Sequence, residues 1–567
     1  MATSCDATAV PFTLLGALLT AGPAAWPACV GGGRAFLRDY AQRGTNALLW
    51  AGLIAATWVL VLRVNALLRL WALGSRIPGP HALLADPGLA AVLRTGGDIT
   101  GFLSKLHGCY GPVVRLWLGP SQLLVSVKEP NLIKEVLTKA EDKLQLTGRT
   151  YTLVCGRLDL FISSFQKVQD RRESLKAFLD KKLTTDGGRG SLKIIDVVLG
   201  RIRSISSDFV DSRSFSQHMA FNIIGATLFG DAFFDWSDAA AYEELLMMVA
   251  KDGCFWASYS VPPFWKPGYR KYRTLCAKLQ ILTQGVIRKS RDQYTTLSHF
   301  DQTSFQRNEG MIKDPRGGVL DGTTSCHGAA EGSLSSEEEI CGNIMGLMLH
   351  GISTCATLIS NILTYVVLSP KLQDQLYVDI VAVCKEESSE LNVDDLLRMR
   401  YLLATVCESA RLSPAGPLLQ RCSLKHDLTI ESGITVPAGA VLVVPLHLVQ
   451  MDNSIWGNDA SQFNPQRLLG KDADLEEMLG LPKSSNGFNF HPGSVKTQSF
   501  LPFGSGSRAC VGQKFVILAI SMLIASLLRN YEVRPHPGLS EEMDSAAGGS
   551  SFHHLPNPKI TFIKRGI

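Results

Sequence analysis

The chain has 567 residues, 46% hydrophobic and 19% charged, and its 56 basic and 51 acidic side chains leave a formal net charge of +5. That composition excludes a disordered or collagenous chain and a small disulfide scaffold, and so even a charge balance gives no electrostatic case for nucleic acid. A mean hydropathy of +0.11 is high for a wholly soluble protein and directs attention to a membrane segment.

Residues 44–62 supply one. The run has no charged residue and approaches the roughly 20 residues that cross hydrocarbon; Trp50 and Trp58 lie within it, and Arg63, Arg69 and Arg76 follow. A buried core helix is the alternative. An earlier apolar stretch, 7–33, is interrupted by Pro11, Pro23 and Pro27 and has no basic start. This speaks against a cleaved signal peptide and leaves a transit peptide or a second span open. Arg34, Arg38 and Arg43 balance the three arginines on the other side, so basic residues do not orient the run. The expectation is a single-pass anchor region over 1–76, then one domain over 77–567 beginning at a Pro-rich hinge, Ile77-Pro78-Gly79-Pro80.

Beyond the hinge the pattern is mainly helical with short strand pairs. Residues 113–127 read as a hairpin about Gly119-Pro120, and 217–229, 340–368 and 370–385 as helices. Residues 427–445 read as strands punctuated by Gly433 and Gly439. The polar, glycine-containing stretch 307–336 is expected to be a flexible surface insert. Residues 337–367 open with three glutamates, which suit a helix N-terminus, and then turn apolar on all sides, as in a helix through the core.

The 13 cysteines are scattered, none closer than 14 residues to the next, which excludes Cys-x-x-Cys and zinc-type spacings and reads as reduced thiols. One has informative neighbours. Cys510 stands in Phe503-Gly504-Ser505-Gly506-Ser507-Arg508-Ala509-Cys510-Val511-Gly512, just before an apolar helical run. A glycine-rich loop that delivers a lone thiol to a helix N-terminus favours the thiolate and suits a haem iron better than zinc or an iron–sulfur cluster. Arg508 can pair with a carboxylate beside it.

This decamer resembles the haem-binding loop F-x-x-G-x-R-x-C-x-G of the cytochrome P-450 family; a chance match in a chain this long is roughly two in ten thousand. Further likenesses follow in family order. Glu408-Ser409-Ala410-Arg411 matches the E-x-x-R of the family's K helix, and Leu412-Ser413-Pro414 and Leu418-Leu419-Gln420-Arg421 succeed it. The resemblance implies a mainly α fold with small β-sheets around a buried haem. It implies haem b with Cys510 as axial thiolate, Phe503, Gly506 and Gly512 shaping the loop, and Arg508, Arg421 and Arg172 as propionate partners. It makes Glu408, Arg411 and Arg467 a structural triad. Of a usual Trp/Arg pair on the C helix only the basic end survives, since Val168 stands four residues before Arg172.

The central helix carries the departures. His350-Gly351-Ile352-Ser353-Thr354-Cys355 stands where the family usually has a small residue, glycine, an acid and threonine. Gly351 is expected to leave room beside the iron, and Thr354 to bond oxygen and pass protons, or else to bond back to its own turn. Ser353 replaces the acid. His350, on the face of Thr354, could ligate iron, touch substrate or make a core hydrogen bond.

The resemblance thus implies a monooxygenase that puts one atom of O2 into a lipophilic small molecule, with electrons from an NADPH-dependent reductase. It implies a protein in the endoplasmic reticulum membrane with its catalytic domain cytosolic, plastid or mitochondrial targeting remaining open. Two other readings stand beside it: a haem-thiolate isomerase or dehydratase of lipid peroxides, and a non-catalytic haem-binding sensor capped by His350.

Overall fold

The computed structural model describes residues 26–80, 99–143, 164–185, 209–257, 263–304, 337–384, 391–423, 425–469, 498–536 and 557–566, with isolated positions between them. The expected insert 307–336 and the first 25 residues lie outside these. The chain divides into two compact units, Met1–Ala72 and Leu73–Ile567.

The first helix, α1 (Trp26–Gly74), runs 49 residues, about 70 Å at 1.5 Å per residue. It is much longer than the run 44–62. Pro27 falls in its first turn, where proline removes no helical hydrogen bond, so the last proline of the 7–33 stretch starts the helix and does not break it. Arg63 and Arg69 do not end it either. Its segment Arg43–Gly74, mean hydropathy 2.0, is long and apolar enough to cross a membrane. Leu48, Trp50 and Trp58 are 74%, 65% and 63% exposed.

The second unit holds α2 (Ile99–Tyr110), β1 (Val113–Gly119), β2 (Gln122–Val127), α3 (Pro130–Lys139), α4 (Gln169–Thr185), β3 (Val210–Asp211), α5 (Ser212–Phe229), α6 (Ala239–Ala257) and α7 (Pro267–Ser304). There follow α8 (Glu337–Leu368), α9 (Pro370–Val383), α10 (Val393–Arg398), α11 (Arg400–Leu412), β4 (Leu418–Arg421), β5 (Leu428–Thr429), β6 (Thr435–Val436) and β7 (Val441–Pro445). Last come α12 (Leu446–Gln450), α13 (Asn453–Trp456), α14 (Gln513–Asn530), β8 (Tyr531–Pro535) and β9 (Lys559–Lys564). The fold is mainly helical with small sheets.

The hairpin β1–β2 pairs antiparallel, Val113 opposite Val127 and Leu116 opposite Leu124. The sheet order is β1-β2-β7-β4, with β2 and β7 parallel and β4 antiparallel to β7. Arg421, the last residue of β4, sits opposite Leu442 and is thereby fixed against a fully buried strand. Gly433 and Gly439, at φ +76° and +81°, turn the chain at the two corners read from the sequence.

α8 is the core of the unit. Ile344, Met345, Met348, Ile352, Ile359, Ile362 and Val366 are buried on it, and α5, α7, α9 and α11 pack around it. Each such side chain contributes about 1.5–3 kcal/mol by leaving water. α8 and α14 are also apolar enough to cross a membrane, but most of each is covered by protein, whereas the apolar span of α1 is bare. Hydropathy alone does not separate these cases.

The segment read as a hinge is held in place. Arg115 of β1 donates from Nη1 to the carbonyls of Gly74, at 3.3 Å, Ser75 and Ile77, at 2.9 Å, and its own amide bonds Pro78 O at 2.8 Å. Ile77 is buried, and a Cβ on Gly79 would meet the Arg115 carbonyl at 2.5 Å. A buried guanidinium on carbonyls at a helix C-terminus satisfies groups that the helix cannot satisfy itself.

Candidate functional site

The loop before α14 brings the site together. Gly504 and Gly506 both adopt φ +72°, a left-handed conformation open to glycine. At Gly506 a Cβ would lie 2.2 Å from Leu137 O of α3, so only a glycine allows the loop this close. The turn closes with Cys510 N–H donating to Phe503 O at 2.8 Å. Phe503 is half-buried against Phe500, ring centroids 6.3 Å apart. The N-cap of α14 is Gly512, whose amide donates toward the Cys510 sulfur.

Cys510 is exposed by area, yet burial dominates its titration and pushes the thiol above its ordinary range. Both hold if the sulfur opens onto an interior space enclosed by protein. The Gly512 amide and the cations of Arg172 and Lys143 act in the opposite sense and are outweighed. The amide at the helix N-terminus favours the thiolate, as expected, while burial of the sulfur acts against it.

Four cations converge beside it. Arg172 of α4 donates to Ala509 O, and Arg508 Nε donates to Glu141 O at 2.8 Å, its guanidinium 5.3 Å from the Phe165 ring. Arg421 Nη1 donates to Gln420 O at 2.9 Å, while its buried Nε has no partner. Lys143 is the fourth, and no motif in the sequence marks it. It arrives through long-range pairing: Asp142 bridges Cys422 by two backbone hydrogen bonds, 3.1 and 2.9 Å, which sets Lys143 beside Arg421. Burial, then Arg421, Arg508 and Arg172, push the Lys143 ammonium down to about 8. Burial and neighbouring arginines likewise push Arg421 and Arg508 down to about 10.

Like charges gathered this close, two of them buried and two half-buried, are unfavourable alone and call for anions. The residues therefore fit a haem: a lone sulfur for the iron and, beside it, a basic cluster with an unbonded guanidinium nitrogen for two carboxylates. Among the described residues no group of three or more His, Cys, Asp or Glu could hold a metal ion otherwise.

Across the space runs one open stripe of α8. His350, Ser353 and Thr357 are exposed and Thr354 and Gly351 half-buried, in a helix otherwise largely covered. At 100° per residue the four polar ones span an arc of about 100°. Lys143 interacts electrostatically with both Cys510 and His350, which sets all three around one interior. Burial, then Lys143, push the His350 imidazole down to about 4. Thr354 Oγ1 donates to its own turn, His350 O at 2.9 Å, and Thr357 does the same to Ser353 O at 2.9 Å. Thr357, which the sequence reading passed over, belongs to the stripe by simple helical spacing. At Gly351 a Cβ would meet Ile224 of α5 at 3.3 Å, so the glycine also admits the neighbouring helix.

Glu408 and Arg411, both fully buried, form a network with half-buried Arg467. Arg411 Nε and Nη2 each reach a carboxylate oxygen of Glu408 at 2.8 Å, and Arg467 Nε reaches Oε1 at 2.9 Å. Arg411 also donates to the carbonyls of Ala460, at 2.8 Å, and Gln450. Asp459, not foreseen, takes both Nη atoms of Arg467 at 2.9 Å, which holds its carboxyl down to about 2.

Helices enclosing a thiol, a basic cluster and a polar helical stripe define a haem-thiolate type of protein. A model of the family Cytochrome P450 matches residues 78–561, and the chain belongs to that family. Monooxygenase chemistry in general, and haem held by a cysteine thiolate, come with membership. The chain is similar to cytochrome P450 3A29 of Sus scrofa, 24% identical over 505 residues that cover 85% of this chain and 92% of that one. It is also similar to 11-oxo-beta-amyrin 30-oxidase of Glycyrrhiza uralensis, 24% identical over 469 residues, 80% and 79% of the two. A shorter match, 27% over 195 residues, is to indoleacetaldoxime dehydratase of Arabidopsis thaliana, covering 34% of this chain and 35% of that one.

Proposed function

We propose that the protein is a membrane-anchored monooxygenase that inserts one atom of O2 into a lipophilic small molecule, using electrons from an NADPH-dependent reductase. The observation that carries the reading is Cys510, set by two left-handed glycines beside four cations, Arg421 and Arg508 buried and Arg172 and Lys143 half-buried. Bound there, haem with a thiolate ligand supplies oxygen activation. Cys510 would hold the iron, its sulfur charge eased by the Gly512 amide, and Arg172, Arg421, Arg508 and Lys143 would hold the carboxylates. The Thr354 hydroxyl, bonded to its own turn, keeps two lone pairs and can accept a hydrogen bond from water; by rotating it passes a proton inward, Ser353 standing beside it. The apolar helix Arg43–Gly74 suits substrates drawn from lipid and a location in the endoplasmic reticulum membrane with the catalytic unit cytosolic. Plastid or mitochondrial membranes would serve the same chemistry.

One observation favours a second reading, rearrangement or dehydration without a reductase: Ser353 places no carboxylate on the stripe. The test is a carbon monoxide difference spectrum of the reduced protein, followed by turnover with and without NADPH. A thiolate-shifted Soret band, lost in Cys510→Ser, and NADPH-dependent product are expected. An unshifted band refutes the thiolate; a hydroperoxide consumed without NADPH turns the assignment to the second reading.

A further inference from the structure

Three glutamates open α8, and a helix N-terminus accounts for acids there. It does not account for Glu339 turning inward: Glu338 beside it is exposed, whereas Glu339 is buried. The Glu339 carboxylate forms an ion pair with Arg171 Nη2 of α4, the two side chains 11% and 30% exposed, so solvent screens the pair weakly. Arg171 and Arg172 stand about 100° apart around α4 and reach different neighbours. Arg171 meets the start of α8, while Arg172 Nη2 donates to Ala509 O, the carbonyl one residue before Cys510. The apolar side of α4 lies against the same loop: Leu175 and Leu179 are buried, and a Cβ on Gly512 would come 3.5 Å from Leu179. Apolar burial is non-directional; it keeps α4 on the loop but leaves the helix free to turn about its axis. A directional pair at Arg171 sets that turn.

Resting on the haem-thiolate reading, we propose that Glu339 is a positioning residue of the thiolate loop: through Arg171 it fixes the rotation of α4 that keeps Arg172 on the Ala509 carbonyl. A guanidinium one peptide away from the ligand draws on the charge of the sulfur and moderates its donation to the iron. With Arg172 displaced, the sulfur becomes the stronger donor and the ferric state is favoured over the ferrous. Glu339 touches neither iron nor substrate, and its effect passes through two arginines and one carbonyl.

The test is the midpoint potential of the full-length protein with haem bound, read from absorbance during reductive titration. Glu339→Gln is expected to lower it. The sign is decisive, because the mere loss of a buried negative charge would make an added electron easier to accept and raise the potential. Arg171→Gln, which opens the pair from its more exposed side, is expected to lower the potential as well, so the test survives a Glu339→Gln protein that fails to fold. In an Arg172→Gln background neither substitution is expected to lower it further. A potential raised or unchanged in either single variant overturns the proposal, as does an equal fall in the Arg172→Gln background. The carbon monoxide spectrum of the reduced wild type separates the two levels. With a thiolate-shifted band, an unmoved potential removes the role of Glu339 alone, and an unshifted band removes both.

Discussion

Arg411→Met strikes the network on which α11 depends. Arg411 and Glu408 are both fully buried, joined by two hydrogen bonds of 2.8 Å. Breaking a buried ion pair from one side costs about 3–5 kcal/mol, since the remaining charge is left uncompensated. Here Glu408 keeps Arg467 at 2.9 Å, which places the electrostatic loss toward the low end. Two carbonyls, Gln450 O and Ala460 O, lose their donor as well, at about 1–3 kcal/mol each. The sum, about 5–9 kcal/mol, rivals the whole stability of a typical domain. Arg467→Met should cost less, about 3–5 kcal/mol, because Glu408 then keeps its bidentate partner and Asp459 is partly exposed. The bonds lost to Trp456 O, Asp459 O and Gln462 O are also partly exposed, where those of Arg411 are buried. Urea unfolding followed by tryptophan fluorescence measures both. Arg411→Met is expected to yield little folded protein and Arg467→Met a folded protein with a clearly lower midpoint. Equal midpoints for the two, or an Arg411→Met midpoint near that of the wild type, would refute the reasoning.

Gly506→Ala should abolish retention of haem, because a Cβ meets Leu137 O at 2.2 Å on top of φ +72°, a strain alone worth about 1–3 kcal/mol. Gly512→Ala, whose added carbon meets Leu179 at an ordinary 3.5 Å, should keep it; haem-to-protein absorbance ratios tell them apart. His107 is buried between Gly111 O and Ser126 Oγ, both at 2.8 Å, and burial lowers its pKa below the ordinary 6.5. The unfolded chain therefore binds the proton more readily, so stability from this group is complete above pH 6.5 and falls as pH drops toward the folded value. His107→Gln should show a shallower loss of stability as pH falls below 6.5; an unchanged slope in pH-dependent unfolding counts against the assignment.

Much of the site was legible because it is local. The ten residues 503–512 contain their own turn, left-handed glycines, thiol and following helix, so spacing along the chain is spacing in space. The same is true of the Glu408–Arg411 pair, three residues apart on α11, and of the stripe from His350 to Thr354 on α8. The i, i+3 and i, i+4 rules carry these without knowledge of the fold.

What the chain could not state in advance depends on segments far apart in sequence. Lys143 joins the basic cluster only because Asp142 pairs with Cys422, and Arg508 joins it by reaching Glu141. That Gly351 admits α5 rests on Ile224. Residue type places a thiol at a helix N-terminus; packing decides how far its burial opposes the Gly512 amide. Hydropathy marks α1, α8 and α14 alike, and only the tertiary structure wraps two of them in protein while the apolar span of the first stays bare. Composition and spacing determine which chemistry a short segment can offer. Desolvation, charge clustering and helix contact are sums over neighbours from the whole fold, so they were settled only once the chain had packed.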